Sequence, residues 1–137
     1  MFRKNGQVSV EYLIIFGFVT MSIIIILGVA LNYSGNVKDS IKMSQVESYA
    51  DKIISASESV FYAGEPSKAT ISCYLPENVN EVQVVENSLF ITVDTHTGAN
   101  TIAYSSKVPI SGTLSSGGGV KKIEVVANET SITLTEI

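Results

Sequence analysis

The chain has 137 residues and a formal charge of −4, from 9 basic and 13 acidic side chains. That length holds one modest globular domain beside a hydrophobic segment, not two, and the acidic balance argues against nucleic acid as a partner, since a polyanion needs a basic face. The only cysteine, Cys73, excludes an intrachain disulfide, so the fold is held by packing, by neighbouring subunits or by both.

In chain order, Arg3 and Lys4 come first, followed by the polar stretch Gln7-Val8-Ser9-Val10-Glu11-Tyr12 and then by the nearly all-apolar residues 13–31. A secretory signal passes from its basic end directly into its apolar stretch and is cut beyond it. Here a hexapeptide carrying Glu11 intervenes, so the natural cut falls before the apolar segment and the hydrophobic helix stays with the mature chain. Residues 13–31 as a helix would extend roughly 28 Å, close to the thickness of the hydrocarbon layer. Thirteen of them are Leu, Ile, Val or Phe, which favours insertion by on the order of 4 to 8 kcal/mol. Arg3 and Lys4 keep the amino terminus in the cytoplasm and place the carboxyl-terminal head outside. Glu11 at the membrane edge opposes insertion far less than a charge at the centre would.

The string Lys4-Asn5-Gly6-Gln7-Val8-Ser9-Val10-Glu11-Tyr12-Leu13 resembles the class III signal peptide of archaeal type IV pilin-like proteins, whose core reads Gln-x-Ser-x-Glu-Tyr. Gln7, Ser9, Glu11 and Tyr12 match every fixed position. The resemblance implies cleavage between Gly6 and Gln7 by a prepilin peptidase that reads Arg3, Lys4, Gly6, Gln7 and Ser9. It also implies assembly with identical or related pilin subunits through Gln7, Glu11 and Tyr12, served by a pilus assembly machinery. Losing residues 1–6 leaves seven basic against thirteen acidic side chains, a net −6. The small Gly6 gives a peptidase access and an extended backbone. Glu11 then becomes the fifth residue of the mature chain, an isolated carboxylate costly to bury among apolar helices. The new amine of Gln7 on a neighbour can neutralise it and fix axial register. Gly17 and Gly28 permit close helix approach, and residues 23–26, all isoleucine, supply packing area.

No proline precedes Pro66, and a helical reading runs from about Ser9 to Ala63, with Gly17, Gly28 and Gly35 as its weak points. Val37, Ile41, Val46, Tyr49, Ala50, Ile53, Ile54, Val60 and Phe61 recur mostly at spacings of three and four, the mark of an amphipathic helix. Gly64 followed by Pro66 stops it. Beyond Pro66 the period becomes alternating, with Ile71, Cys73 and Leu75 on one face and Leu89, Ile91 and Val93 on another. Residues 82–85, 101–107, 108–114, 120–126 and 131–135 read as further strands between turn signals. The expected architecture is α+β. A leader at 1–6, a transmembrane or filament-core helix at 7–35 and its amphipathic continuation at 36–64 precede an antiparallel β-rich head at 65–137, a sandwich or barrel-like sheet.

Little in the head suggests chemistry. His96, the only histidine, falls in Asp94-Thr95-His96-Thr97-Gly98, a hairpin tip without a second nitrogen or sulfur ligand, so no metal is expected. Cys73 alternates with Ile71 and Leu75 and reads as a small buried hydrophobe. Gly117-Gly118-Gly119 lacks the spacing and following helix of a phosphate loop, leaving a flexible turn. One turn histidine builds no catalytic triad, so neither an enzyme nor a cofactor is expected. Asn128-Glu129-Thr130 and Asn32-Tyr33-Ser34 fit the glycosylation pattern, with Asn128 better placed because Asn32 abuts the apolar segment.

These readings converge on a pilin-like structural subunit, inserted as a precursor in the cell membrane and assembled into a cell-surface filament. Two rivals remain open. One is a membrane-anchored surface protein that never polymerises. The other is a secreted binding module cut after Ala30, where Gly28 and Ala30 offer small residues to an ordinary signal peptidase. Major or minor rank, and adhesion against motility, are open at this point.

Overall fold

The computed structural model describes residues 5–137, with side chains from residue 9 onward. One helix, α1 (Asn5–Ala63), precedes seven strands: β1 (Lys68–Leu75), β2 (Val79–Val85), β3 (Ser88–Thr95), β4 (Gly98–Ser105), β5 (Ile110–Thr113), β6 (Gly119–Ala127) and β7 (Ile132–Glu136). The class is α+β. The contacts divide the chain into two units, Met1–Lys38 and Asp39–Ile137.

In the first unit α1 runs unbroken through its glycines. Within its apolar stretch the polar side chains of Thr20 and Ser22 donate to the carbonyls of Phe16 and Phe18 at 2.8 Å, and the Asn32 amide donates to that of Gly28 at 3.1 Å, back-bonding that lowers the need of these three groups for water. The large apolar residues between Val10 and Leu31 are 49–75% exposed, so nothing among the described residues covers them.

In the second unit the same helix turns amphipathic. Val46, Tyr49, Ala50, Ile53, Ser57 and Val60 are buried at three- and four-residue steps, and the Ser57 hydroxyl is satisfied by the Ile53 carbonyl at 2.8 Å. Val37 and Ile41 stay exposed, so the buried stripe starts later than the apolar pattern does. At the far end Gly64 adopts a left-handed φ of 78°, and its N–H donates to the Phe61 carbonyl at 3.1 Å, the termination expected of glycine.

The strands form two sheets, ordered β1-β6-β7-β5 and β2-β3-β4. Every neighbouring pair is antiparallel except β5 with β7, which run parallel from Ile110↔Ile132 to Thr113↔Thr135. The head is thus mostly antiparallel, as expected, and the one parallel pair could not be read from alternation, which reports which face a residue occupies and not which strand lies beside it. β5 is also shorter than the expected 108–114, since Pro109 has no N–H to give a ladder. β4 begins at Gly98, three residues early, because a tight turn at His96 and Thr97 returns the chain into pairing with β3 at Thr95↔Gly98. β2 likewise reaches back to Val79.

The two sheets meet where β2 comes alongside β5. Their opposite edges, β4 and β1, flank α1. Lys52 donates to the Ser72 carbonyl of β1 at 3.1 Å, the His96 N–H to Asp39 at 2.8 Å, and the Lys107 N–H, just past β4, to Glu58 at 3.3 Å. The helix thus takes the place of the strand that would join β1 to β4. Its buried stripe completes one core with Leu75, Leu89, Ile91, Val93, Ile123, Val125, Ile132 and Leu134. Gly112 lets β5 approach β7: with φ at 137°, a Cβ there would collide with the Leu134 carbonyl.

The glycine-rich connection between β5 and β6 is tied down at one end. Glu136 accepts from the Ser115 N–H and from its hydroxyl, both at 2.9 Å, and Lys121 donates to Glu136 at 2.8 Å. Gly118 packs against Glu77, where a Cβ would lie 3.1 Å from its Cα. Lys121 is engaged by Glu136 and a strand follows, so this loop lacks the helix N-terminus that a phosphate loop uses.

Two outcomes follow. Burying five apolar helix residues, at roughly 1.5–3 kcal/mol for each large one, contributes on the scale of an entire domain's net stability, about 5–15 kcal/mol. Residues 39–137 should therefore melt cooperatively with a strand-rich circular dichroism spectrum, while residues 65–137 alone should not; a cooperative melt from the shorter fragment would refute the shared core. The second concerns acid. The hydrogen bond from Lys121, and then those from Ser115, hold the Glu136 carboxyl below its ordinary value of 4.5 against the opposing effect of burial. A depressed folded pKa means the contribution is complete above the unfolded value and is lost as pH falls through the folded one. Wild type should be more stable than Glu136→Gln at neutral pH, by on the order of 1 kcal/mol for so accessible a pair. In thermal melts the gap should narrow as pH falls below the ordinary carboxyl value of 4.5 and vanish once the folded carboxyl is protonated, and a gap that persists undiminished in strong acid would contradict this role.

Candidate functional site

The residues singled out at the amino terminus lie on the first turns of α1. Arg3 and Lys4 lie outside the described residues. Gly6 and Gln7 are already helical, which departs from the extended backbone expected at a cleavage junction. Cutting there requires the first turn to unwind, and Gly6 eases this because glycine in a helix costs about 1 kcal/mol relative to alanine. Ser9, Glu11 and Tyr12 are exposed. Tyr12 stacks on Phe16 one turn later, ring centroids 6.5 Å apart with 19° between planes. Among the described residues Glu11 has no ion-pair partner. Four residues separate Gln7 from Glu11, an axial step of roughly 6 Å.

This carboxylate stands at the start of a helix that is apolar on every side. An isolated charge beside so much uncovered apolar surface can do two things. It can sit at the water edge of a bilayer, or it can meet a cation supplied by another molecule.

The two glycosylation sequons differ in conformation. Asn32 is helical, its amide bound to Gly28. Asn128 sits in the exposed turn between β6 and β7, where its N–H donates to the Ser131 carbonyl at 2.9 Å and its side-chain amide to the Thr133 hydroxyl, also at 2.9 Å. An enzyme can reach and reshape a surface turn far more readily than a residue locked in a continuous helix.

His96 is exposed in its hairpin turn and engages Asp39 only through its backbone N–H. Cys73 is buried, its thiol pushed up in pKa by burial, and its sulfur lies 3.9 Å from the Lys121 carbonyl. Neither geometry equips the residue for catalysis.

One feature of the head escapes sequence reasoning. A groove of about 630 Å³ runs between α1 and β1, lined on the helix side by Ser44, Gln45, Ser48, Tyr49, Asp51, Lys52 and Ser55 and on the strand side by Cys73 and Tyr74. Serines recurring at 40, 44, 48 and 55 were the available signal, but nothing in the spacing told which face of the helix the sheets would leave open. Burial raises the Tyr49 phenol far above its ordinary pKa, aided by Cys73 and Glu136. Burial raises Tyr104 as well, with help from the charges of Glu47 and Asp51.

A long apolar amino-terminal helix followed by a β-rich head is a layout consistent with type IV pilin-like proteins, and such a helix suggests membrane anchoring or a signal sequence. Comparison with protein-family models, with curated proteins and with solved structures finds no match.

Proposed function

We propose that this chain is a structural subunit of an archaeal type IV pilus-like cell-surface filament. A prepilin peptidase cuts it between Gly6 and Gln7, and the pilus assembly machinery builds it into a polymer through its amino-terminal helix. The observation that carries this reading is the fully uncovered apolar surface of α1 from Val10 to Leu31, preceded by the Gln7-x-Ser9-x-Glu11-Tyr12 string. Water cannot be the resting environment of that surface. Lipid covers it in the precursor and copies of the same helix cover it in the polymer, so a single segment serves insertion and assembly in turn. The head, facing outward, is not an enzyme in this reading.

Glu11 selects between the two environments. At the bilayer edge it is solvated. In a bundle of apolar helices it needs the Gln7 amine of a neighbour, and the two groups meet when adjacent subunits are offset by roughly 6 Å along the axis.

The test replaces Glu11. In Glu11→Ala, insertion and cleavage should survive, because the edge charge only opposes burial in lipid. Filament yield in sheared surface fractions should collapse, since each contact forfeits on the order of 3–5 kcal/mol when a buried charge loses its partner, and the loss repeats at every subunit. Wild-type filament yield from correctly processed Glu11→Ala would make Glu11 an ordinary interfacial charge.

A further inference from the structure

We propose that the groove between α1 and the free edge of β1 binds a neutral saccharide. This site is independent of the filament reading and holds equally for an anchored or an assembled chain.

Its floor is the starting point. Tyr49 is only 1% exposed, and its hydroxyl takes no hydrogen-bond partner among the described residues. Yet no buried side-chain nitrogen or oxygen is sealed away without one, so this hydroxyl opens on the groove that Tyr49 lines. Buried phenols normally find a partner. Here the partner has to come from outside, and because burial keeps the phenol neutral it can both donate and accept.

The walls select the ligand's chemistry. Ser44, Ser48 and Gln45 present hydroxyl and amide groups that donate and accept, and Asp51 adds a strong acceptor. The Asp51 carboxylate and the Lys52 ammonium both line the groove and offset each other, so it carries no net charge to favour an ion over a neutral ligand, and Lys52 also donates to the Ser72 carbonyl at 3.1 Å. That same bond disfavours an extended peptide, which would need the Ser72 carbonyl to pair with the edge of β1; a lysine so placed guards an edge strand. A purely apolar ligand would strand the hydroxyls. A sugar answers each feature, with hydroxyls for the polar wall and an apolar C–H face for the ring of Tyr74, which is 48% exposed. The 630 Å³ falls within the usual range of small-ligand sites, about 300–1,000 Å³.

The experiment uses the full chain in a detergent without a sugar headgroup, titrated by calorimetry with maltotriose, mannotriose and tri-N-acetylglucosamine. At least one should bind saturably. Tyr74→Ala should weaken it by about tenfold, and Ser48→Leu, which fills the groove, should abolish it. Tyr49→Phe, which keeps the buried ring and removes only the hydroxyl, should weaken it severalfold while leaving the melting temperature within a few degrees of wild type. Absence of saturable binding to all three sugars would overturn the proposal, as would binding that Ser48→Leu and Tyr49→Phe leave unchanged. Loss of filaments in Ser48→Leu without any sugar binding by wild type would assign the groove to subunit packing instead.

Discussion

The buried stripe Val46, Tyr49, Ala50, Ile53 and Val60 is the contact on which the head depends. Seven short strands divided between two open sheets leave a gap between β1 and β4, and an open gap would wet the core and expose two ladders of unpaired backbone groups. A helix cannot extend those ladders, but it fills the gap with apolar side chains and covers individual edge groups with polar ones. Lys52 reaches the β1 edge, while Asp39 and Glu58 reach the chain at either end of β4. These polar contacts are individually weak at a surface. Their value is positional, since they seat the helix in one register over a core that is non-directional.

Because the stripe belongs to a helix that continues without a break to its apolar amino-terminal segment, one element carries both a core face and an uncovered apolar surface. Inside the head, α1 is amphipathic and its partners are supplied by the strands. Toward the amino terminus it is apolar all round and its partners must be supplied from outside. Val37 and Ile41, exposed although they continue the apolar pattern, mark where one regime passes into the other. Side-chain polarity changes along the helix while backbone hydrogen bonding does not, which lets a single secondary structure carry both a core-facing stripe and an all-round apolar surface.

Much of this was legible in the sequence, for physical reasons that differ by element. The helix was readable because Pro66 is the first proline and because three- and four-residue spacing survives down to Val60. Hairpins were readable from local turn chemistry, as at His96-Thr97-Gly98. The parallel pairing of β5 with β7 was not, because alternation is blind to the identity of a neighbouring strand. Pro109, which cannot donate to a ladder, sets where β5 begins. At the site, Gln7, Ser9, Glu11 and Tyr12 were found by pattern and lie together on the first turns of α1, whereas the helical state of Gly6 departs from the expected extended backbone. Nothing local announced that Glu136, near the end of the sequence, would anchor Ser115, or that Tyr49 would be both core and groove floor. Contacts of long sequence separation of this kind are written only in the tertiary fold.

If the apolar helix is kept and put to work in the mature chain, the mature amino terminus is the quantity to measure. Intact-mass and terminal-peptide mass spectrometry on membrane and sheared surface fractions would read it directly. The account predicts that the surface fraction begins at Gln7. A mature chain beginning at Leu31 would mean that the helix is discarded, and one beginning at Met1 in both fractions would mean that it only anchors; either would contradict the account.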